Sequence, residues 1–151
     1  MSPRTRPRVL CVDDDEDSRV MLVTLLRHQL IEAKAVGTAA QAISSIKTER
    51  FDLFLLDSRL PDLNGFDLCR RIRDFDPDTP ILFFSGDAHS TDRKKGLDAG
   101  ANAYVVKPEL ESLIEAITRF VGQTETDKVQ VVPFRPKMSF SPNFAGGPLA
   151  A

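Results

Sequence analysis

The sequence predicts an α/β domain, a doubly wound five-stranded parallel sheet with helices on both faces. Two observations carry this. Five short, mostly apolar runs alternate with five stretches whose apolar residues recur at helical spacing, the pattern of strands joined by right-handed helical crossovers. Four of those runs also stop at side chains able to do chemistry: Asp13 and Asp14, Asp57, Ser85, and Lys107. In an open α/β sheet, ligand chemistry sits at the carboxyl ends of the strands.

The first strand is predicted over residues 9–12, VLCV, a continuous apolar run suited to burial on both faces. It ends in the acidic run 13–17. Residues 18–30 form a helix on Val20, Met21, Leu22, Leu25 and Leu26, with Asp15 or Asp17 at its positive end. Residues 31–36 alternate apolar and polar, as a half-buried edge strand does. Gly37-Thr38 supplies a turn and an N-cap for a helix over 39–47, with Ala39, Ala42, Ile43 and Ile46 on one face.

The third strand, 53–56, stops abruptly at Asp57, and Pro61 and Asn64-Gly65 then make a loop. The helix over 66–75 follows, with Phe66, Leu68, Cys69, Ile72 and Phe75 in its pattern, and Asp76-Pro77-Asp78 ends it. Arg70, Arg71 and Arg73 read as its solvated face. Residues 80–84 are a buried strand ending at Ser85-Gly86. Residues 91–99 are a polar helix closed by Gly100. Residues 103–106 are the fifth strand, ending at Lys107-Pro108. The last helix, 110–121, faces inward with Leu113, Ile114, Ile117, Phe120 and Val121, and Gly122 caps it.

With 151 residues, one domain with some surplus is expected. Residues 1–7 read as a disordered arm and 8–122 as the domain. Residues 123–151 read as a flexible tail with four of the ten prolines and Phe134, Phe140 and Phe144. Residues 129–132 could add briefly to a sheet edge, and the Phe-Pro spacing could serve docking. A net charge of −2 gives no general attraction to nucleic acid or anionic lipid. No apolar run reaches the roughly 20 residues of a membrane span, and the basic start lacks the long apolar stretch of an export signal. Cys11 and Cys69 form neither a disulfide framework nor a metal spacing. A cytoplasmic protein is expected.

Taken together, the strand-end groups suit phosphoryl chemistry. Clustered carboxylates repel one another and want a hard divalent cation such as Mg²⁺, which takes oxygen ligands. An aspartate can be the nucleophile that forms an acyl phosphate, so Asp57 is the candidate acceptor. Lys107 would pair with one phosphoryl oxygen and Ser85 would hydrogen-bond another. Singly, each has a plain reading: Asp13 to Asp17 as a helix cap, Asp57 as a loop cap, Ser85 as a turn residue, Lys107 as a surface lysine.

The segments VLCVDDDEDSR, LLDSRLPDLNG, ILFFSG and AYVVKP, in that order, resemble the receiver domain of two-component response regulators, the CheY-like fold, over about residues 8 to 122. The resemblance implies a flavodoxin-like sheet of order 2-1-3-4-5 and Asp57 as the phosphorylated aspartate. It makes Asp14 a metal ligand, with Asp13 acting directly or through water and the backbone carbonyl of Arg59 as a further ligand. Ser85 and Lys107 would bind the phosphoryl group, and Tyr104 would be the mobile aromatic of a switch between solvent and core. A histidine kinase or histidine phosphotransfer protein is the implied donor and a downstream protein the implied target, without direct nucleic-acid binding; dimerisation stays open.

Two positions depart from the family's habit. Glu109 stands where an aromatic or aliphatic residue is usual, and Asn64 where Asp is common. Arg59 sits where it would influence water access. The expectation is a stand-alone receiver that works as a switch rather than an enzyme. Two other readings compete. In a phosphatase of the haloacid-dehalogenase type, Asp13 and Asp15 would supply the Asp-x-Asp, but Asp17 stands where Thr or Val is expected, no late acidic pair follows Lys107, and Asp57 has no role. A degenerate receiver would act only as a scaffold.

Overall fold

The computed structural model describes residues 6–122. In chain order the elements are β1 (Arg8–Val12), α1 (Glu16–His28), β2 (Glu32–Val36), α2 (Ala39–Thr48), β3 (Leu53–Leu56), α3 (Gly65–Phe75), β4 (Ile81–Ser85), α4 (Ser90–Asp98), β5 (Ala103–Val106) and α5 (Leu110–Val121). The five strands are parallel, in the order β2-β1-β3-β4-β5. This is the flavodoxin-like sheet that the sequence predicts. Residues 1–5 of the arm and 123–151 of the tail, with 129–132, Phe134, Phe140 and Phe144, lie outside the described residues.

Two cores follow from strand alternation, because successive side chains point to opposite faces. Val9, Cys11, Leu53, Leu55 and Leu82 meet Leu22 and Leu26 of α1 and Leu113 and Ile117 of α5 on one face. Leu10, Val12, Phe54, Leu56 and Phe83 meet Ala42 of α2, Leu68 and Ile72 of α3, and Tyr104 on the other. The three central strands are continuous apolar runs for this reason. Among the described residues β2 pairs only with β1 and stays partly exposed, as its mixed sequence predicts.

The caps place the elements. Asp15 accepts a hydrogen bond from the Ser18 amide at 2.8 Å, so α1 starts two residues before its predicted start. Val20 fits the apolar repeat but is 60 % exposed, since it lies about 200° around the helix from Leu22. Thr38 caps α2 as predicted, accepting from Gln41 at 3.1 Å. Asp62 also accepts from the Ala39 and Ala40 amides, which ties the loop after β3 to the start of α2. Asn64 caps α3 through the Asp67 amide.

Arg73 does not lie on a solvated face. Its guanidinium donates to the carbonyls of Gly100, Asp76 and Thr79 and to Asn102 Oδ1. It closes the end of α3 against the turn before β5, where four acceptors converge and its fork of donors fits them.

The α1–β2 turn puts a strained residue in view. Leu30 has φ of 62° and is 62 % exposed, while the Ile31 amide bonds back to Leu26 O. A left-handed conformation costs an L-residue energy that glycine does not pay. Leu30→Gly is expected to stabilise the protein by about 0.5–1 kcal/mol, read as a higher urea midpoint at unchanged slope. A lower midpoint would show that the Leu30 side chain contributes more than its backbone costs.

Candidate functional site

The carboxyl ends of β1, β3, β4 and β5 open on one rim, and the loops after them carry the polar groups. β1 hands the chain to Asp13, whose amide donates to Val36 O at 3.0 Å. Asp13 is 2 % exposed. Its Oδ1 accepts from the Asp15 amide at 2.9 Å, and its backbone carbonyl accepts from Arg19 of α1 at 2.9 Å. The next strand over ends at Asp57, whose amide donates to Val12 O, so the two acidic ends are locked side by side.

Lys107 arrives from β5, 94 residues from Asp13 in sequence, and bridges them. Its Nζ lies 2.8 Å from Asp13 Oδ2 and 3.2 Å from Asp57 Oδ2. Its amide donates to Ser85 O. Burial alone would pull the Lys107 ammonium down, but its hydrogen bond to Asp13 and the charges of Asp57 and Asp13 outweigh that and hold its pKa above the usual lysine value. Asp57 is pushed up: burial penalises its charge and Asp13 repels it, against the pull of Lys107 and of the Arg59 amide. The carboxylate on this rim is therefore short of solvation, which is a driving force for binding a cation.

One carboxylate oxygen each from Asp13, Asp14 and Asp57 lies within 4.8 Å of the others. Three hard oxygen donors against one ammonium leave excess negative charge, and that donor set fits Mg²⁺. Asp14 is exposed and points the cluster toward solvent, giving an ion a route in. The Arg59 amide donates to Asp57 Oδ1 at 3.3 Å, so this residue's backbone lies against the same carboxylate.

Ser85 ends β4 on the same rim, 1 % exposed, but its hydroxyl bonds to Ser58 and Asp87 rather than to Asp57 or the Lys107 ammonium. Ser58 Oγ is 2.6 Å from Ser85 Oγ and donates to Asp87 Oδ2 at 2.7 Å. The Asp87 amide donates to Ser85 Oγ at 3.1 Å. Arg59 grips both Asp87 oxygens, at 3.0 and 2.8 Å. The hydrogen bonds from Arg59 and then Ser58 hold the Asp87 carboxyl below the usual carboxylate range. Tyr104 is 7 % exposed, stacks on Phe83 at 5.7 Å, and donates its hydroxyl to Asp87 O at 2.7 Å. Burial raises its phenol.

The structure thus brings Asp13, Asp14, Asp57 and Lys107 into one cluster and places Ser85 and Tyr104 in a second network beside it. Ser58, Asp87 and Arg19 are additions that sequence reasoning missed. Ser58 and Asp87 each lie within two residues of a strand-end group already singled out, and that proximity was the available signal. Arg19 gave none beyond its place on the first helix.

Comparison with known proteins agrees with this fold. A family model described as the response regulator receiver domain matches residues 9–118. The DNA-binding response regulator MtrA of Mycolicibacterium smegmatis is 39 % identical over 103 residues, covering 68 % of this chain and 45 % of that protein. The transcriptional regulatory protein PrrA of Mycobacterium tuberculosis is 35 % identical over 136 residues, covering 87 % of this chain and 58 % of its own length. The chain therefore spans about half the length of these relatives. The solved receiver domain of the sensor histidine kinase PA1611 from Pseudomonas aeruginosa superposes with a TM-score of 0.72 at 30 % identity, covering 79 % of this chain and 100 % of that one, and is described with a magnesium ion coordinated in its active-site cleft. Among the described residues, no helix is long and apolar enough to cross a membrane. On its strand order, its acidic rim and these matches, the chain belongs to the response regulator receiver domain family.

Proposed function

We propose that this receiver accepts a phosphoryl group on Asp57 from a phosphohistidine of a kinase or phosphotransfer protein, in the cytoplasm, and thereby changes the surface it offers a downstream protein. The observation that carries the reading is Lys107 held between Asp13 and Asp57, at 2.8 and 3.2 Å, beside the three-carboxylate cluster.

The chemistry follows from the groups present. An Asp57 carboxylate oxygen attacks phosphorus, a P–O bond forms, the P–N bond to the donor imidazole breaks, and the imidazole nitrogen keeps the electron pair. Asp13, Asp14, Asp57 and the Arg59 carbonyl would hold Mg²⁺, which supplies positive charge against the transferring oxygens. Lys107 exchanges its contact with Asp57 for one with a phosphoryl oxygen, so its charge is retained where charge develops. Ser85 donates its hydroxyl to another oxygen. The pushed-up Asp57 pKa reports a carboxylate that its surroundings solvate poorly, which suits a nucleophile.

The test is intact-mass analysis after incubation with acetyl phosphate and Mg²⁺. Wild type is expected to gain one phosphoryl group and Asp57→Asn none. No gain by wild type would leave only a scaffold role, and equal gain by Asp57→Asn would move the acceptor elsewhere. The family match and the strand order leave the phosphatase reading without support.

A further inference from the structure

Proton counting in the second network fixes the direction of each hydrogen bond. The Asp87 carboxylate takes two hydrogen bonds from the Arg59 guanidinium, at 3.0 and 2.8 Å, and this ion pair makes it an acceptor only. The proton on the 2.7 Å contact therefore belongs to Ser58, which has just one. Ser58 must then accept at the 2.6 Å contact, so the Ser85 hydroxyl proton points at Ser58. A chain of donors results, from Ser85 to Ser58 to Asp87, and Arg59 anchors its far end with two bonds.

Asp87 also carries the carbonyl that receives the Tyr104 hydroxyl. The backbone that holds Tyr104 inward is thus the backbone that Ser58 and Arg59 hold in place. Ser58 and Ser85 are 2 % and 1 % exposed, so water cannot easily replace either partner, and an unmade bond there is costly.

We propose that Ser58 is a positioning residue for the switch, and that Ser58, Asp87 and Arg59 form a latch that keeps Tyr104 inward before phosphorylation. The inference rests on the receiver reading above and deepens it. A phosphoryl oxygen on Asp57 competes with Ser58 for the one Ser85 proton. Phosphorylation then redirects a hydroxyl within a preset loop, and Tyr104 starts from the core instead of from solvent. The equilibrium between inward and outward rings is biased by the latch, and a ligand adds only its differential affinity to that bias.

Tyr104 is the sole tyrosine and the chain has no tryptophan, so tyrosine emission of the full chain reports on this ring alone. The experiment is acrylamide quenching without phosphate donor for wild type, Ser58→Ala, Asp87→Ala, Asp87→Asn and Arg59→Ala. Wild type is expected to be protected. Ser58→Ala and Asp87→Ala are expected to raise the quenching constant at least about twofold, because the inward state loses its bias. Asp87→Asn, which keeps an acceptor for Ser58, falls between. Arg59 is 81 % exposed on its side chain, so Arg59→Ala tests the latch without touching the core.

Wild type quenched as readily as free tyrosine amide overturns the proposal, and so do Ser58→Ala, Asp87→Ala and Arg59→Ala all behaving as wild type. Phosphoryl uptake is scored by mass on the same samples. A wild type that is protected yet takes no phosphate overturns the proposed function and leaves the latch standing.

Discussion

Gly65→Ala is expected to lose about 3 kcal/mol or more of stability and to abolish phosphoryl uptake. Gly65 opens α3 directly beneath the end of β3. A Cβ there would lie 2.1 Å from the Asp57 carbonyl oxygen and 2.8 Å from Ser58 Cα. Both are backbone atoms, so no rotamer change relieves the clash. The loop between has little slack: the Gly65 amide donates to Ser58 O at 2.7 Å, and Asp62 holds the first amides of α2. Either α3 lifts off the sheet or the end of β3 shifts, and Asp57 and Ser58 move with it. Urea unfolding together with mass analysis checks this. A loss under about 1 kcal/mol with normal uptake would show that strand and helix can part at low cost.

Lys107→Ala carries the second large effect. Removing the ammonium leaves Asp13, at 2 % exposure, facing Asp57 with nothing between. Breaking a buried pair from one side is costly, and about 2–3 kcal/mol is expected near neutral pH without divalent ions. The pH dependence has a definite sign. Lys107 is raised in the fold, so its contribution is complete below the ordinary lysine pKa and disappears as pH climbs through the raised value. Asp57 is already raised, so the native state binds its proton more readily than the unfolded chain, and its charge costs stability above that pKa. Without Lys107 the rise grows. The variant should therefore regain stability on acidification, from just above the usual carboxylate range downward. Mg²⁺ should also narrow the gap to wild type. Thermal unfolding across pH, with and without Mg²⁺, measures both; a variant equally stable at neutral and acid pH would remove the charge argument.

Much of this could be read from the chain. Continuous runs such as VLCV and LFLL announce strands covered on both faces, and Leu113 with Ile117 announces the inward side of α5. The fold was legible because burial writes itself into hydrophobic periodicity. The acidic rim was legible for a related reason: Asp13 and Asp57 interrupt apolar runs where a charge has to have a purpose. Arg73 was not. A guanidinium that follows two other arginines on a helix looks solvated until the turn before β5 folds back over it, and that contact spans 27 residues. Ser58 and Asp87 gave only their nearness to strand-end groups, since a serine and a loop aspartate are common in turns, and their bond forms only when β3 and β4 pair. Tyr104 was expected to move between solvent and core, and in this structure the ring lies in the core, where Asp87 offers its hydroxyl a carbonyl.

The seating of α4 bears on how far a signal can travel. Within its bounds this helix buries only Gly96, and a Cβ on that glycine would come within 3.0 Å of both the Phe83 and Tyr104 rings. Bare main chain rides on aromatic carbon there, and Arg93 of the same helix lies over the Tyr104 ring and donates to the Tyr104 carbonyl. A shift of the tyrosine would thus meet this helix at two points, the main chain at Gly96 and the guanidinium of Arg93.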